Sequence, residues 1–285
     1  MKLINCANIR QEMLTDAKVE LTKIYALTGQ TLKLVVVQVE GDTASDVYIK
    51  NKIKTCDEVG IECIHVKLDN DASVDTVRDV IQGYACDGNV HGLMLQLPLP
   101  DHLKPYQQML LDAIPWYMDV DGLSTESMGR LWSGQDCIAP ATAQGVMRLL
   151  PNDLSYKNVC VVGRSNLVGK PLIKLLLDRN ATVDICHSKT DNLGYHTTET
   201  DIVICAIGKP KFFNAYEYSD EFSETTWIDV GINRDKDGKL CGDVDIKTFD
   251  ETNCDITPVP SGVGLLTTAQ LVLNVVKAYY LQNNL

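Results

Sequence analysis

The sequence predicts an α/β protein: two α/β domains around a cleft, the second a Rossmann-type doubly wound parallel sheet. Three observations predict it. Short apolar runs alternate with amphipathic stretches along most of the chain; one turn-rich segment near the middle interrupts the alternation; and it then restarts with a strand that runs into a glycine-bearing turn. At 285 residues the chain exceeds what one hydrophobic core usually supports, which favours two domains. With 45% hydrophobic and 22% charged residues it has the composition of an ordinary globular protein.

In the first half, "LKLVVVQV" (32–39), "CIHVKL" (63–68) and "GLMLQLPLP" (92–100) read as buried strands. They are separated by "YIKNKIKTCDEVG" and "DTVRDVIQGYA", whose apolar residues recur at helical spacing. This βαβαβ order implies a parallel sheet covered by helices. The segment "DVDGLSTESMGRLWSGQDCIAP" is rich in Gly, Pro, Ser and Asp and predicts a loop or domain junction. "TAQGVMRLL" predicts a helix with Thr142 as its N-cap. Strands follow at "NVCVVG" (158–163), "TVDICH" (182–187), "DIVICAIG" (201–208) and "TTWIDVG" (225–231), their starts roughly twenty to twenty-five residues apart, as βα units require. The chain ends in "TTAQLVLNVVKAYYLQNN", a helix expected to pack back on the first domain.

A net charge of −12, with no clustering of Lys and Arg, argues against a nucleic-acid partner. The ten cysteines are scattered, contain no Cys-x-x-Cys and lie mostly in apolar runs, so they read as reduced core thiols of a cytoplasmic protein, with no metal expected. The N-terminus lacks the apolar core of a signal peptide and no apolar run approaches a membrane span, so no membrane partner is expected and the sequon at Asn180 carries no meaning.

In "VVGRSNLVGKPL", Gly163 ends a strand, and Gly169 and Pro171 open a helix. A glycine there lets the backbone approach a pyrophosphate, whose charge meets the free N–H groups of the helix start. Ser165 stands where the full fingerprint has a second glycine, so a simple tight turn is the competing reading. At the next strand end, where an NAD site usually offers an acidic residue, the chain has His187, Ser188 and Lys189, while Asp184 lies inside the strand and is expected to be engaged locally. Hydroxyl and cationic groups suit a 2′-phosphate, and Arg164 adds a guanidinium; NADP is favoured over NAD, unless Arg164 and Lys189 are ordinary solvated charges.

Tyr48 and Lys52 are four apart in "SDVYIKNKIKTCDEVGI" and share one helix face, a spacing that is more often structural than catalytic. Short-chain dehydrogenases use Tyr-x-x-x-Lys, but after the glycine turn of a single Rossmann domain; here the pair precedes the turn and lies in the other domain. Asp121 of "DVDG" reads by itself as a turn residue, with Asp119 an equal candidate, and Gln96 of "QLPLP" as part of a strand stopped by prolines.

Taken together, "ASDVYIKNKIKTCDEVGI", "GLMLQLPLP", "DVDGLSTESMGRL", "VVGRSNLVGKPL", "CHSKT", "IDVGINR…GKLCGDVD" and "ITPVPSGVG" resemble, in order and over nearly the whole chain, the methylenetetrahydrofolate dehydrogenase/methenyltetrahydrofolate cyclohydrolase (FolD) family. The resemblance implies a cytoplasmic homodimer that oxidises 5,10-methylenetetrahydrofolate with NADP+ and hydrolyses the methenyl product to 10-formyltetrahydrofolate. It implies a folate-binding catalytic domain of residues 1–139 plus 265–285 and an NADP-binding domain of residues 140–264. Catalysis would fall to Lys52, Tyr48, Gln96 and Asp121, with Gln96 bonding the lysine and Asp121 holding the pterin. Leu97, Pro98, Pro260 and Gly262 would join Tyr48, Gln96 and Asp121 at the substrate. Gly163, Arg164, Ser165, Val168, Gly169, His187, Ser188 and Ile232 would contact the cofactor.

The chain also departs from the family pattern. Pro140-Ala141-Thr142-Ala143 replaces Pro-Cys-Thr-Pro, Pro260-Ser261-Gly262-Val263-Gly264-Leu265-Leu266-Thr267 replaces Pro-Gly-Gly-Val-Gly-Pro-Met-Thr, and the segment "VEGDTAS" lacks the proline often found before Ala-Ser. The serine is expected to crowd the folate and nicotinamide, and loss of the proline to loosen the start of the last helix. Two alternatives stay open: a shikimate-dehydrogenase-like enzyme for another small substrate, and a non-enzymatic folate- or nucleotide-binding protein.

Overall fold

A computed structural model describes residues 1–41, 43–218 and 224–284. The chain forms two compact units, one of Glu12–Ala141 with the residues from Thr268 onward, the other of Met1–Gln11 with Thr142–Thr267. The elements begin with β1 (Lys2–Leu3), α1 (Cys6–Thr28), β2 (Lys33–Val39), α2 (Thr43–Val59), β3 (Glu62–Leu68), α3 (Val74–Ala85) and β4 (Gly92–Leu95). β3, β2 and β4 pair in that order, all parallel. β2 is central, and Leu34 to Val39 are buried because both sheet faces are covered. Val35, Val37, Leu93 and Leu95 pack on one face against Val77 and Ile81 of α3. Ser73 starts α3 by accepting from the Thr76 N–H at 3.1 Å.

Two features of this half differ from the sequence expectation. A long helix, α1, precedes β2 and buries Met13, Leu14, Ala17 and Ile24, a helical spacing. The turn-rich junction, preceded by the short α4 (Gln107–Leu111), contains a true helix, α5 (Thr125–Trp132). Ser124 caps it, its Oγ accepting from the Ser127 N–H at 3.2 Å, while Ser127 and Leu131 are buried. Its Gly and Ser content hid a capped amphipathic turn.

The remaining elements are α6 (Ala141–Met147), β5 (Asn158–Val162), α7 (Gly169–Leu177), β6 (Thr182–Cys186), α8 (Leu193–Thr198), β7 (Ile202–Cys205), α9 (Ala215–Tyr218), β8 (Thr226–Asp229), β9 (Asn233–Arg234), β10 (Leu240–Cys241), β11 (Asp255–Ile256) and α10 (Val263–Gln282). Six strands form a parallel sheet in the order β1-β11-β8-β7-β5-β6. From β5 the chain moves out to β6, then returns to β7 on the other side of β5. The carboxyl end of β5 is therefore a topological switch point, where doubly wound sheets bind ligands. Val159, Val161, Ile202, Ile204 and Ile228 pack on one face with Val146, Met147, Leu172 and Leu176. Cys160, Val162, Val203, Cys205 and Trp227 pack on the other with Phe213 and Phe249. β1 joins this sheet beside β11, with the Lys2 N–H on Cys254 O and the Ile4 N–H on Ile256 O, each at 2.9 Å. That pairing sets residues 1–11 in this unit, which the strand pattern of the sequence does not reveal. Among the described residues no helix is long and apolar enough to cross a membrane.

The family departures resolve locally. Thr142 is not an N-cap: α6 already begins at Ala141, and the Thr142 hydroxyl instead accepts from Thr267 Oγ1 at 3.4 Å. Leu265 does not leave α10 frayed, because its N–H donates to Gly262 O at 3.0 Å, a bond a proline there could not make. The segment "VEGDTAS" includes Asp42, which lies outside the described residues. Ser261 is exposed and holds φ +76°, the left-handed region where a Cβ is strained. Ser261→Gly is expected to raise stability by about 0.5–1 kcal/mol, since relief of the left-handed cost outweighs the added freedom of the unfolded chain. The check is a higher denaturant midpoint at unchanged m-value.

Candidate functional site

The candidate residues Lys52, Gln96 and Asp121 gather at the carboxyl end of the β3-β2-β4 sheet. The Gln96 N–H, one residue past β4, still donates to Val37 O at 2.8 Å, which fixes that residue beside the end of β2. Residues 118–120 add a further parallel bridge to β4, Leu93 opposite Asp119, so Asp121 comes to the same edge. α2 leaves β2 over that edge, its first turn held by Gln38: Nε2 donates to Asp46 Oδ1 at 2.9 Å, and Oε1 accepts from His65 Nε2 at 2.8 Å. Gln38 and His65 went unnoticed in the sequence because only strand pairing brings them to Asp46.

One turn along α2, Lys52 Nζ donates to Gln96 Oε1 at 2.9 Å and lies 3.6 Å from Met94 Sδ. Gln96 is buried and fixes its amide by donating to Leu97 O at 2.6 Å. The Leu97–Pro98 bond is cis. Tyr48 is 40% exposed on the preceding turn, a ring face open to a ligand. Lys52 as a whole residue is half-buried, yet dehydration of its ammonium pushes its pKa below the usual lysine value, opposed by the Asp121 charge. Burial likewise pushes Asp121 above the usual carboxylate range, opposed by Lys52. Asp119, the rival candidate, is fully buried and accepts the Ser124 N–H at 2.8 Å, so it serves the loop rather than a ligand.

The second group lies in the six-stranded unit. Gly163 holds φ +134° at the end of β5, where a Cβ would sit 2.3 Å from Ala206 O; at Gly169 a Cβ would sit 2.1 Å from Gly163 O. Only glycine permits this strand-to-helix approach, and it leaves the start of α7 open to an anion. Ser165 Oγ accepts from the Val168 N–H at 3.1 Å, so the serine at the second-glycine position shapes the turn. Arg164 and Ser165 are exposed; Val168 is buried. At the end of β6, Thr190 Oγ1 accepts from the His187 N–H at 2.9 Å and His187 Nδ1 from the Lys189 N–H at 3.2 Å, a closed turn that presents Ser188 and Lys189 outward. Asp184 is engaged locally, by His196. Ile232 is 43% exposed, and a Cβ at Gly264 would sit 3.3 Å from its Cδ1; Pro260 is exposed, after a cis bond from Val259, and Gly262 is buried. A glycine cradle at a switch point, a helix start and an arginine together fit a phosphorylated dinucleotide.

Two buried carboxylates went unassigned in the sequence. Asp243 accepts the Ile207, Gly208 and Lys209 N–H groups at 2.7, 3.1 and 2.8 Å, and the Asn233 amide at 2.9 Å. Asp229 accepts the Gly231, Asp243 and Val244 N–H groups, each at 2.9 Å. Burial raises the Asp229 pKa to about 7 against those donors. They tie the loops after β7 and β8 together. The repeated Gly-Asp pairing in "DVGINR…GDVD" was the available signal.

Comparison with known proteins agrees with this geometry. Residues 4–121 match the family model "Tetrahydrofolate dehydrogenase/cyclohydrolase, catalytic domain", and residues 140–283 match its "NAD(P)-binding domain". The chain is 42% identical over 263 residues to the bifunctional protein FolD of Dechloromonas aromatica, covering 90% of each chain. It is 40% identical over 279 residues to that of Agathobacter rectalis, covering 97% and 98%. The crystal structure of the bifunctional FolD enzyme from Campylobacter jejuni superposes with a TM-score of 0.91 at 34% identity, over 100% of both chains. That of the Trypanosoma brucei enzyme, complexed with NADP and an inhibitor, gives 0.90 at 25% identity over 99% and 98%. The chain belongs to the tetrahydrofolate dehydrogenase/cyclohydrolase (FolD) family.

Proposed function

We propose that Lys52 is the proton-moving residue of a bifunctional enzyme that oxidises 5,10-methylenetetrahydrofolate with NADP+ and hydrolyses the methenyl product to 10-formyltetrahydrofolate. The observation that carries this role is the 2.9 Å bond from a dehydrated lysine ammonium to a neutral amide, Gln96. A carboxylate in that place would hold the proton on the lysine; glutamine orients it and leaves its neutral form accessible. Neutral Lys52 takes a proton from water as the oxygen adds to the methenyl carbon. The same proton then goes to N5 as the carbon–N5 bond breaks, and the hydroxyl proton leaves to solvent as the formyl group forms on N10. The exposed Tyr48 ring stacks on the substrate, and Asp121 accepts two N–H bonds from the aminopyrimidine edge. Leu97 and Pro98 shape the substrate's surroundings on this unit.

Bound NADP+ supplies the hydride acceptor. Gly163, Ser165, Val168 and Gly169 cradle its pyrophosphate, Arg164, His187 and Ser188 meet its 2′-phosphate, and Ile232 supports the nicotinamide end. The exposed Arg164 and Ser188, with no acidic side chain among residues 187–190, support NADP over NAD. We also propose a cytoplasmic homodimer that binds no nucleic acid, supported by the net charge of −12 and by the family.

Lys52→Met should reduce methenyl hydrolysis by about 10²–10⁴-fold while NADP+ binding persists, read from methenyl absorbance decay and cofactor titration; undiminished hydrolysis would refute the role. Because the Lys52 pKa is depressed, hydrolysis should rise with pH through an inflection below the usual lysine value. Gln96→Glu puts a negative charge beside the ammonium, raises that pKa and should shift the inflection to higher pH. Arg164→Ala should lower kcat/KM for NADP+ about 10- to 100-fold and for NAD+ much less. Equal losses with the two cofactors would reassign Arg164 to the turn itself.

A further inference from the structure

β6 is the edge strand of the six-stranded sheet, and Asp184 and Cys186, two residues apart, project from the same face of it. α8 returns over that face and brings His196, whose Nδ1 pairs with Asp184 Oδ2. One donor atom from each of Asp184, Cys186 and His196 lies within 4.8 Å of the other two. Behind them, on the neighbouring strand β5, Cys160 Sγ lies 3.8 Å from Cys186 Sγ. Cys160 backs the cluster without joining it, and three protein ligands leave the fourth tetrahedral position to water.

We propose that Asp184, Cys186 and His196 form a three-ligand binding site for a borderline divalent transition metal of the zinc type. The donor set of one sulfur, one imidazole nitrogen and one carboxylate oxygen suits Zn²⁺ or Co²⁺ and not the oxygen-seeking Mg²⁺ or Ca²⁺. The arrangement also gives access: the Asp184 side chain is 53% exposed and that of His196 27%, whereas Cys186 is buried. A metal ion reaches the carboxylate and imidazole first and then the Cys186 thiol. The protons balance simply. The Cys186 thiol releases its proton to solvent on ligation, and the imidazole binds through Nδ1 with its proton on Nε2. Sequence spacing hides the set because His196 reaches Asp184 and Cys186 only when α8 packs back on β6. The site lies one residue before the His187–Thr190 turn and anchors that turn from the strand side.

The test is titration of the purified, chelator-treated chain with Co²⁺, following the sulfur-to-cobalt charge-transfer band and the visible bands of four-coordinate cobalt. One equivalent should bind with both signatures, and Zn²⁺ should displace it. Cys186→Ser should abolish the charge-transfer band or sharply reduce it, and His196→Ala, on the outer helix, should weaken binding at least about tenfold. Circular dichroism of each variant confirms that it is folded. Absence of the band in the wild-type protein, or its persistence at unchanged affinity in both folded variants, overturns the proposal and leaves an ion pair beside a buried thiol. The readout is ligation and not turnover, so failure here is distinguishable from failure of the proposed roles in folate chemistry.

Discussion

In a parallel sheet every strand ends at the same edge, so side chains distant in sequence meet there without any loop having to reach for them. Lys52 and Gln96 are brought within 2.9 Å because β2 and β4 pair in register, with α2 leaving from the end of β2. Asp121 arrives by the same route through the Leu93–Asp119 bridge. In the other unit, the order β7-β5-β6 opens the switch point above β5, and the close contact of Gly169 with Gly163 O keeps the start of α7 against the strand end. Lose the parallel register and both groups of residues disperse.

The chain handles its buried ionisable groups in two opposite ways. At Asp229 and Asp243 several backbone N–H groups converge on each carboxylate, a fully bonded arrangement that makes a loop rigid. At Lys52 the one strong partner is a neutral amide and a thioether sulfur lies nearby, so the charge is left poorly compensated. The first arrangement builds scaffold. The second leaves the neutral form of the lysine accessible, the property that the role proposed for Lys52 calls for.

Departures from the family pattern show how far local substitutions propagate. Thr142 finds a partner in Thr267 in place of a cap, and Leu265 gains a backbone bond at the start of α10. The Leu265 bond stays within one turn of its own position, whereas Thr142 is held from the second turn of α10, far along the chain. Ser261 differs from both, since its strain lies in the backbone and cannot be passed to a neighbouring side chain.

The alternation of apolar runs with amphipathic stretches was enough to determine the two α/β units, the parallel sheets and the glycine turn, because period-2 and period-3.6 burial are written directly into residue order. Ordered motifs were enough to single out Lys52, Gln96 and Arg164. Tertiary structure alone decided what depends on pairing between distant segments. It placed β1 beside β11, made a capped helix of the Ser124–Trp132 stretch, buried Asp119 as an acceptor for the Ser124 N–H, and gathered Asp184, Cys186 and His196 at one sheet edge. Those outcomes share one physical reason: a two-residue strand, a buried carboxylate or a cluster of donor atoms has no periodicity of its own, and its environment exists only after the sheet has formed.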